Sequence, residues 1–308
     1  MDFSARYVTP LSDVFSRAHK LELEHRVELA LLKALGDAGV VPAEAHAEVA
    51  AAVAAGRVTL ARTLAIEAET HHDIMAVVKA LAEAAPTHGG WVHYGATSQD
   101  VNDTVTALQL RECRDVLLGA TRAVRAQLAR LAGAHAARPT IGRTHGQHAI
   151  PITLGFKFAN YLYEVSVAES FLARVSVVAK FSGAVGTFAS LGSRGVQASI
   201  MAQLGLDAAP ISTQVVSRLH YADFVFALSA IAAALERLGK EIRNLQRSEI
   251  NELSEGFGDK QVRRGKRLRR GRGAPIALGR ARALTTRVPP FLPLFLLCAQ
   301  AGSALQTH

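Results

Sequence analysis

The sequence predicts an all-α protein, with a small N-terminal helical domain followed by a bundle of long helices. Three observations carry this. Alanine and leucine are abundant and aromatic residues make up only 6% of the chain, which favours helix over sheet. Three long stretches, 104–137, 151–180 and 220–257, read as extended helices. In the last of them Phe224, Leu228, Ile231, Leu235, Leu238, Ile242 and Leu245 alternate spacings of 4 and 3. That is a heptad seam, the mark of helices packed at small crossing angles.

The elements follow in order. Residues 11–38 read as one helix or two, with Gly39 as the stop and Pro42 as the start of the next element. Residues 42–85 are Ala-rich with helical spacing and carry the polar cluster ETHHD at 69–73. Residues 86–100 are a loop by composition. A first domain is therefore expected over 1–103 and a long-helix bundle over 104–262. At about 1.5 Å per residue the long helices reach roughly 45–55 Å, a length that favours bundle packing between subunits. After Val262 the texture changes to RRGKRLRRGRGAP, and 263–308 is expected to be an aberrant, disordered tail.

Charge and cysteine usage bound the function. The net charge of +9 is confined to the end of the chain: from Gln261 onward there are nine arginines, one lysine and no acidic residue. The remainder is close to neutral and has no basic face, which argues against specific nucleic-acid binding. Pro289, Pro290 and Pro293 spoil the uncharged stretch at 288–307 as a membrane helix. Two cysteines make no disulfide framework, and no signal peptide opens the chain, so a cytoplasmic location is expected. No HExxH or CxxC spacing occurs, and no metal or cofactor is expected.

Five polar islands interrupt the apolar pattern: Arg6-Tyr7, Thr70–Asp73, His93–Asp100, Thr144–His148 and Ser212–His220. The most informative is TIGRTHGQHAIP at 140–151, read as a polar loop on the shoulder of a long helix. Its imidazoles exchange protons near neutral pH, and Gly142 and Gly146 would let backbone approach a ligand. His72 beside Asp73 suggests either a carboxylate-oriented imidazole or a solvated helix surface. His93, Thr97 and Ser98 suit a phosphate or carboxylate ligand, or else a helix start capped by Ser98 or Asn102. The glycines at 183, 186, 192 and 195 lack the spacing of a dinucleotide loop.

Taken together, HYGATSQDVNDT, GRTHGQHAIPITLGFKFA, SGAVGTFA, PISTQVVSRLHYADF and EIRNLQRSEI resemble the adenylosuccinate lyase family of the fumarase/aspartase superfamily. The resemblance runs from Arg6 to Val262. Argininosuccinate lyase and carboxymuconate cycloisomerase are more distant alternatives. The resemblance implies a homotetramer whose long helices form a shared bundle, with each active site drawn from three subunits. It implies elimination of fumarate from adenylosuccinate, giving AMP, and from the succinyl-carboxamide intermediate of purine synthesis. His145 corresponds to the general acid, and Arg6 and Tyr7 to the pair on the nucleotide phosphate. His72 and Asp73 correspond to a substrate-binding segment in which His71 stands where Arg or Lys is usual. His93 corresponds to a histidine near the phosphate, and Thr97 and Ser98 to hydroxyls on the succinyl carboxylates. Lys157 and Gln214 correspond to a lysine near the site and a substrate-contacting glutamine.

One departure matters. The family's flexible loop, whose serine is the base, should follow Val262; here no serine occurs between Ser254 and Ser303. The downstream bundle helices and C-terminal domain are absent too. The expectation is a frameshifted, misread or truncated gene and an elimination that is impaired or lost. The alternatives are a non-catalytic chain that still oligomerises or binds nucleotide, and a tail that associates with polyanions or membrane surfaces.

Overall fold

A computed structural model describes residues 8–254 and 276–277. Arg6, Tyr7, the break at Val262 and nearly all of the tail lie outside the described residues. Helices dominate, as the sequence predicts. In chain order they are α1 (Pro10–Val14), α2 (Arg17–Asp37), α3 (Ala43–Ala54), α4 (Leu60–Thr70) and α5 (Asp73–Ala84). The long α6 (Ser98–Ala134) follows, then α7 (Leu154–Ala173), α8 (Arg194–Leu204) and α9 (Ala222–Leu245). The strands form three two-stranded sheets: β1 (Pro139–Thr144) with β2 (Gln147–Thr153), β3 (Val178–Ala179) with β4 (Asp207–Ala208), and β5 (Leu253–Ser254) with β6 (Ile276–Ala277).

Two compact units interleave along the chain. Among the described residues, one contains 10–115 and 176–222; the other contains 8–9, 116–175, 223–254 and 276–277. Residue 103 thus falls inside α6, which contributes to both units.

In the first unit, Ser16 divides the helical run expected at 11–38. Its hydroxyl accepts from the His19 N–H at 3.1 Å and caps α2. Gly39 ends α2 with a φ of +68°, the left-handed conformation a helix stop demands. Thr59 caps α4 in the same way as Ser16 caps α2. The apolar faces of these helices meet in a core of Leu21, Leu32, Val49, Ile66, Val77, Leu81 and Val92, with Trp91 packed against it. α8 packs on α2, and β3 pairs with β4 in parallel.

In the second unit, Val124, Leu128 and Leu131 of α6 meet Leu154, Phe158 and Val165 of α7 and Ala234, Leu238 and Leu245 of α9. The C-terminal half of the heptad seam packs within the chain. Phe224, Ile231, Leu238 and Leu245 are buried, while Leu228, Leu235 and Ile242 are half-buried. Gly155 lets α7 begin directly against the end of α6, because a Cβ there would meet the Ala132 carbonyl and Ala136. α9 ends at Leu245 rather than continuing to 257. The chain turns because Asn251 adopts a φ of +53° and the Glu252 N–H returns to the Leu245 carbonyl at 2.9 Å. Leu253 then enters the same core.

Arg218–Leu245 is the single span among the described residues that is long and apolar enough to cross a membrane. It carries Lys157–Glu241 and Arg237–Glu164 ion pairs to α7, which tie it to protein instead.

Candidate active site

The segment 140–151 is a β-hairpin, not the loop its glycines and proline suggest. β1 and β2 pair antiparallel from Pro139↔Thr153 to Thr144↔Gln147. His145 and Gly146 form the two-residue turn, with φ values of +53° and +75°. Positive φ at both central positions is the type I′ geometry that matches strand twist. Gly146 therefore serves the turn. Gly142 marks a shift in register, where a Cβ would lie 2.8 Å from the Ile150 carbonyl oxygen of the opposite strand. The hairpin carries the exposed His145 imidazole at its tip, held in a conformation that costs a non-glycine residue free energy.

Glu252, just past α9, anchors this hairpin. It accepts from Thr140 Oγ1 at 2.7 Å and from Arg143 Nη2 at 2.6 Å. Burial raises the pKa of this carboxyl, but the Arg143 and Thr140 hydrogen bonds outweigh it and hold the group below its ordinary value. Lys157 Nζ donates to Glu241 Oε1 at 3.0 Å, so α7 and α9 fix the lysine in the same unit as His145.

The other unit gathers His71, His72, Asp73, His93, Thr97, Ser98 and Gln214. His71 is the left-handed cap of α4 and His72 the N-cap of α5, which is why the adjacent imidazoles have different environments. His72 Nδ1 accepts from the Met75 N–H at 3.3 Å. Its distance of 3.6 Å to Asp73 Oδ1 is too long for a hydrogen bond. The helix cap, not the neighbouring carboxylate, orients this ring. An accepting Nδ1 puts the proton of the neutral ring on Nε2, which lies 3.4 Å from Ser98 Oγ. Asp73 instead faces Lys20 at 3.6 Å. Burial raises its pKa, while the Ile74 N–H and the Lys20 charge bring it below its ordinary value.

Neither Ser98 nor Asn102 caps α6: Ser98 is its first residue and Asn102 lies inside it. Thr97 occupies the cap position, and the Asp100 carboxylate reaches back to its N–H at 2.9 Å. Asp100 is fully buried and does more than close the helix. Its oxygens accept from the Ser182 and Gly183 N–H groups at 3.0 and 3.2 Å and pair with Lys180 Nζ at 2.8 Å. Lys180, also fully buried, donates to the Gly183 carbonyl at 3.0 Å. One turn along α6, Asp103 accepts from the Val216 N–H at 2.6 Å and from Arg218 Nη1 at 2.8 Å. Ser182 and Ser212 hydroxyls lie 2.9 Å apart. Two carboxylates on one helix face thus hold both the glycine-rich segment and the loop that carries the exposed Gln214.

The sequence reading missed Asp100, Asp103, Lys180, Glu28 and Glu252. The pattern of the first two was present: acidic residues three apart at the start of an apolar helix share one face. Nothing local distinguished Lys180 or Glu28, whose partners lie 80 and 65 residues away along the sequence.

Two hydroxyls and an imidazole at a helix start suit the binding of an anion, and a solvent-facing imidazole on a rigid hairpin suits proton transfer. The lyase family profile matches residues 6–261, the span that holds all of these groups.

The chain belongs to the lyase family.

It is 41% identical over 254 residues to adenylosuccinate lyase of Pyrococcus horikoshii, a match covering 81% of this chain and 56% of the relative. It is 42% identical over 265 residues to that of Methanothermobacter thermautotrophicus, covering 83% and 59%. Among solved structures it resembles a fumarate lyase from Mesorhizobium sp. BNC1, with a TM-score of 0.74 and 33% identity over 79% of this chain and 58% of that one. This lyase chain therefore spans a little over half the length of the relatives it matches.

Proposed function

We propose that this chain carries the acid-bearing and nucleotide-binding parts of an adenylosuccinate-type lyase. In the full reaction fumarate leaves adenylosuccinate to give AMP, and it leaves the succinyl-carboxamide intermediate of purine synthesis in the same way. The observation that carries the reading is the cluster at the start of α6. The His72 ring, oriented by its helix cap, meets Ser98 beside Thr97. On this reading the hydroxyls of Thr97 and Ser98 and the ring of His72 receive the succinyl carboxylates. The resemblance assigns His93, Arg6 and Tyr7 to the nucleotide phosphate, and Gln214 and Lys157 to substrate binding. His145 protonates the departing nitrogen, since the amine must leave with a proton near neutral pH. His71, which caps α4, stands where the family carries Arg or Lys in the substrate-binding segment.

The serine expected to remove the Cβ proton has no counterpart after Val262. Elimination is therefore depressed by roughly three or more orders of magnitude while nucleotide binding persists. The test is calorimetric titration of the purified chain with AMP and adenylosuccinate, together with an assay of fumarate release. Binding that is weakened by Ser98→Ala supports the reading. Absence of any nucleotide binding would overturn it, and turnover at a rate usual for enzymes would overturn the role given to the missing serine.

A second reading, a non-catalytic chain that oligomerises, is favoured by the exposed Phe156, Tyr163, Val225 and Phe226 on α7 and α9. A shared bundle in a cytoplasmic homotetramer would cover such residues. Light scattering separates the cases: a tetramer supports the shared bundle, and a monomer at all concentrations sinks it.

A further inference from the structure

Glu28 lies on α2 and is fully buried. Both of its oxygens are spent on one residue. Oε1 lies 2.6 Å from His93 Nδ1, and Oε2 accepts from the His93 backbone N–H at 3.1 Å. His93 has a φ of +65°, a left-handed conformation that a side chain disfavours. A buried carboxylate grips the backbone and the ring of a strained residue at the same time.

We propose that Glu28 is a positioning residue of the nucleotide site: it takes Nδ1–H of His93 and fixes the ring, so that the protonated ring offers Nε2–H to a phosphate monoester. The proposal rests on the reading that His93 faces the nucleotide phosphate.

Taking a carboxylate out of water is costly, and a buried charged pair is often replaceable by apolar side chains with no loss of stability. Here the pair also acts on the ring itself, because Oε1 sits 2.6 Å from Nδ1. A carboxylate on Nδ1 fixes which ring nitrogen faces outward, and it makes the ring more basic. The charged groups around the ring are Glu28 from α2 and Asp100 from α6, the latter paired with Lys180. Burial works against the protonated ring, but the Glu28 hydrogen bond and charge, with Asp100, carry the His93 pKa above its ordinary value. A protonated imidazole donates a charge-assisted hydrogen bond to a phosphoryl oxygen, about twice as strong as a neutral one.

The experiment uses the full chain and AMP as the probe. The His93 ring is followed by NMR across pH with and without AMP, and AMP affinity is measured at pH 7 and pH 8.5. In the wild-type chain the ring titrates above the ordinary histidine value of about 6.5, and AMP affinity falls about tenfold as it deprotonates. In Glu28→Gln the ring titrates lower and the affinity at pH 7 drops to the weaker level. Glu28→Asp, which restores the charge, recovers part of both. A wild-type His93 that titrates below the ordinary value would overturn the proposal without any variant. So would a Glu28→Gln chain whose ring titration and affinity are both unchanged. If Glu28→Gln lowers the titration but His93→Gln leaves AMP affinity untouched at both pH values, the pairing is real. The phosphate reading then fails and takes the proposal with it.

Discussion

His25 is the least comfortable group in the first unit, and acid should expose it. The side chain lies on α2 with 6% exposure, and its Nε2 has no hydrogen-bond partner among the described residues. Burial is the largest influence on it and pushes the pKa down to about 4; the nearby Glu22 and Arg17 charges work in opposite directions. In the unfolded chain the same ring titrates near 6.5. Between those values the unfolded state binds a proton that the folded state refuses, so folding becomes less favourable as pH falls. The stabilisation is complete above about pH 6.5 and is lost progressively toward pH 4. At pH 4.5 the unfolded ring is almost wholly protonated and the folded ring is largely neutral, a difference of about 2.5 kcal/mol. His25→Leu removes the titration and keeps an apolar side chain in place. The assay is urea unfolding at pH 7.5 and 4.5, followed by fluorescence. Trp91 is the only tryptophan and packs on the core of this same unit. Other titrating groups act equally in both chains, so they cancel in the difference. The wild-type chain should lose about 2.5 kcal/mol more than the variant between the two pH values. Parallel losses would refute the reasoning.

Three further outcomes follow from the geometry. Lys180→Met strands the buried Asp100 charge and should cost about 3–5 kcal/mol, and adding Asp100→Asn should restore part of the loss; urea unfolding of the single and double variants measures both. Gly186→Ala forces a side chain into a φ of +82° and against the Ser212 carbonyl. It should cost at least about 2 kcal/mol, and a melting temperature equal to wild type would contradict it. His145→Gly relieves a left-handed residue at the hairpin tip and should leave stability unchanged or raised by about 0.5–1 kcal/mol. Thermal unfolding by circular dichroism checks this, and a clear loss would mean that His145 supports the fold.

The elements most legible in the sequence were those governed by short-range periodicity. The seam on α9 was visible because helical spacing brings Phe224, Ile231, Leu238 and Leu245 to one side, and those residues are buried. Gly39 marked the stop of α2 because a left-handed residue is cheapest without a side chain. The hairpin at 139–153 escaped because Gly142 and Pro151 read as loop residues. The missed signal was the two-residue turn His145-Gly146 between β-branched segments. The end of α9 escaped for a different reason. Nothing near 245 breaks a helix; the chain turns at Asn251, and Glu252 then reaches Thr140 and Arg143, more than 100 residues earlier.

The sequence alone determined the helical class, the family and the order of the polar islands, since each depends on residue identity and local spacing. The tertiary structure decided which groups those islands work with. It gave His72 its orientation from a helix cap instead of from Asp73, and it gave His93 the carboxylate of Glu28. It also placed Asp100 and Lys180 together where neither meets water. Buried charges must be matched by partners in space, and the chain distance between those partners leaves no mark in the sequence around either one.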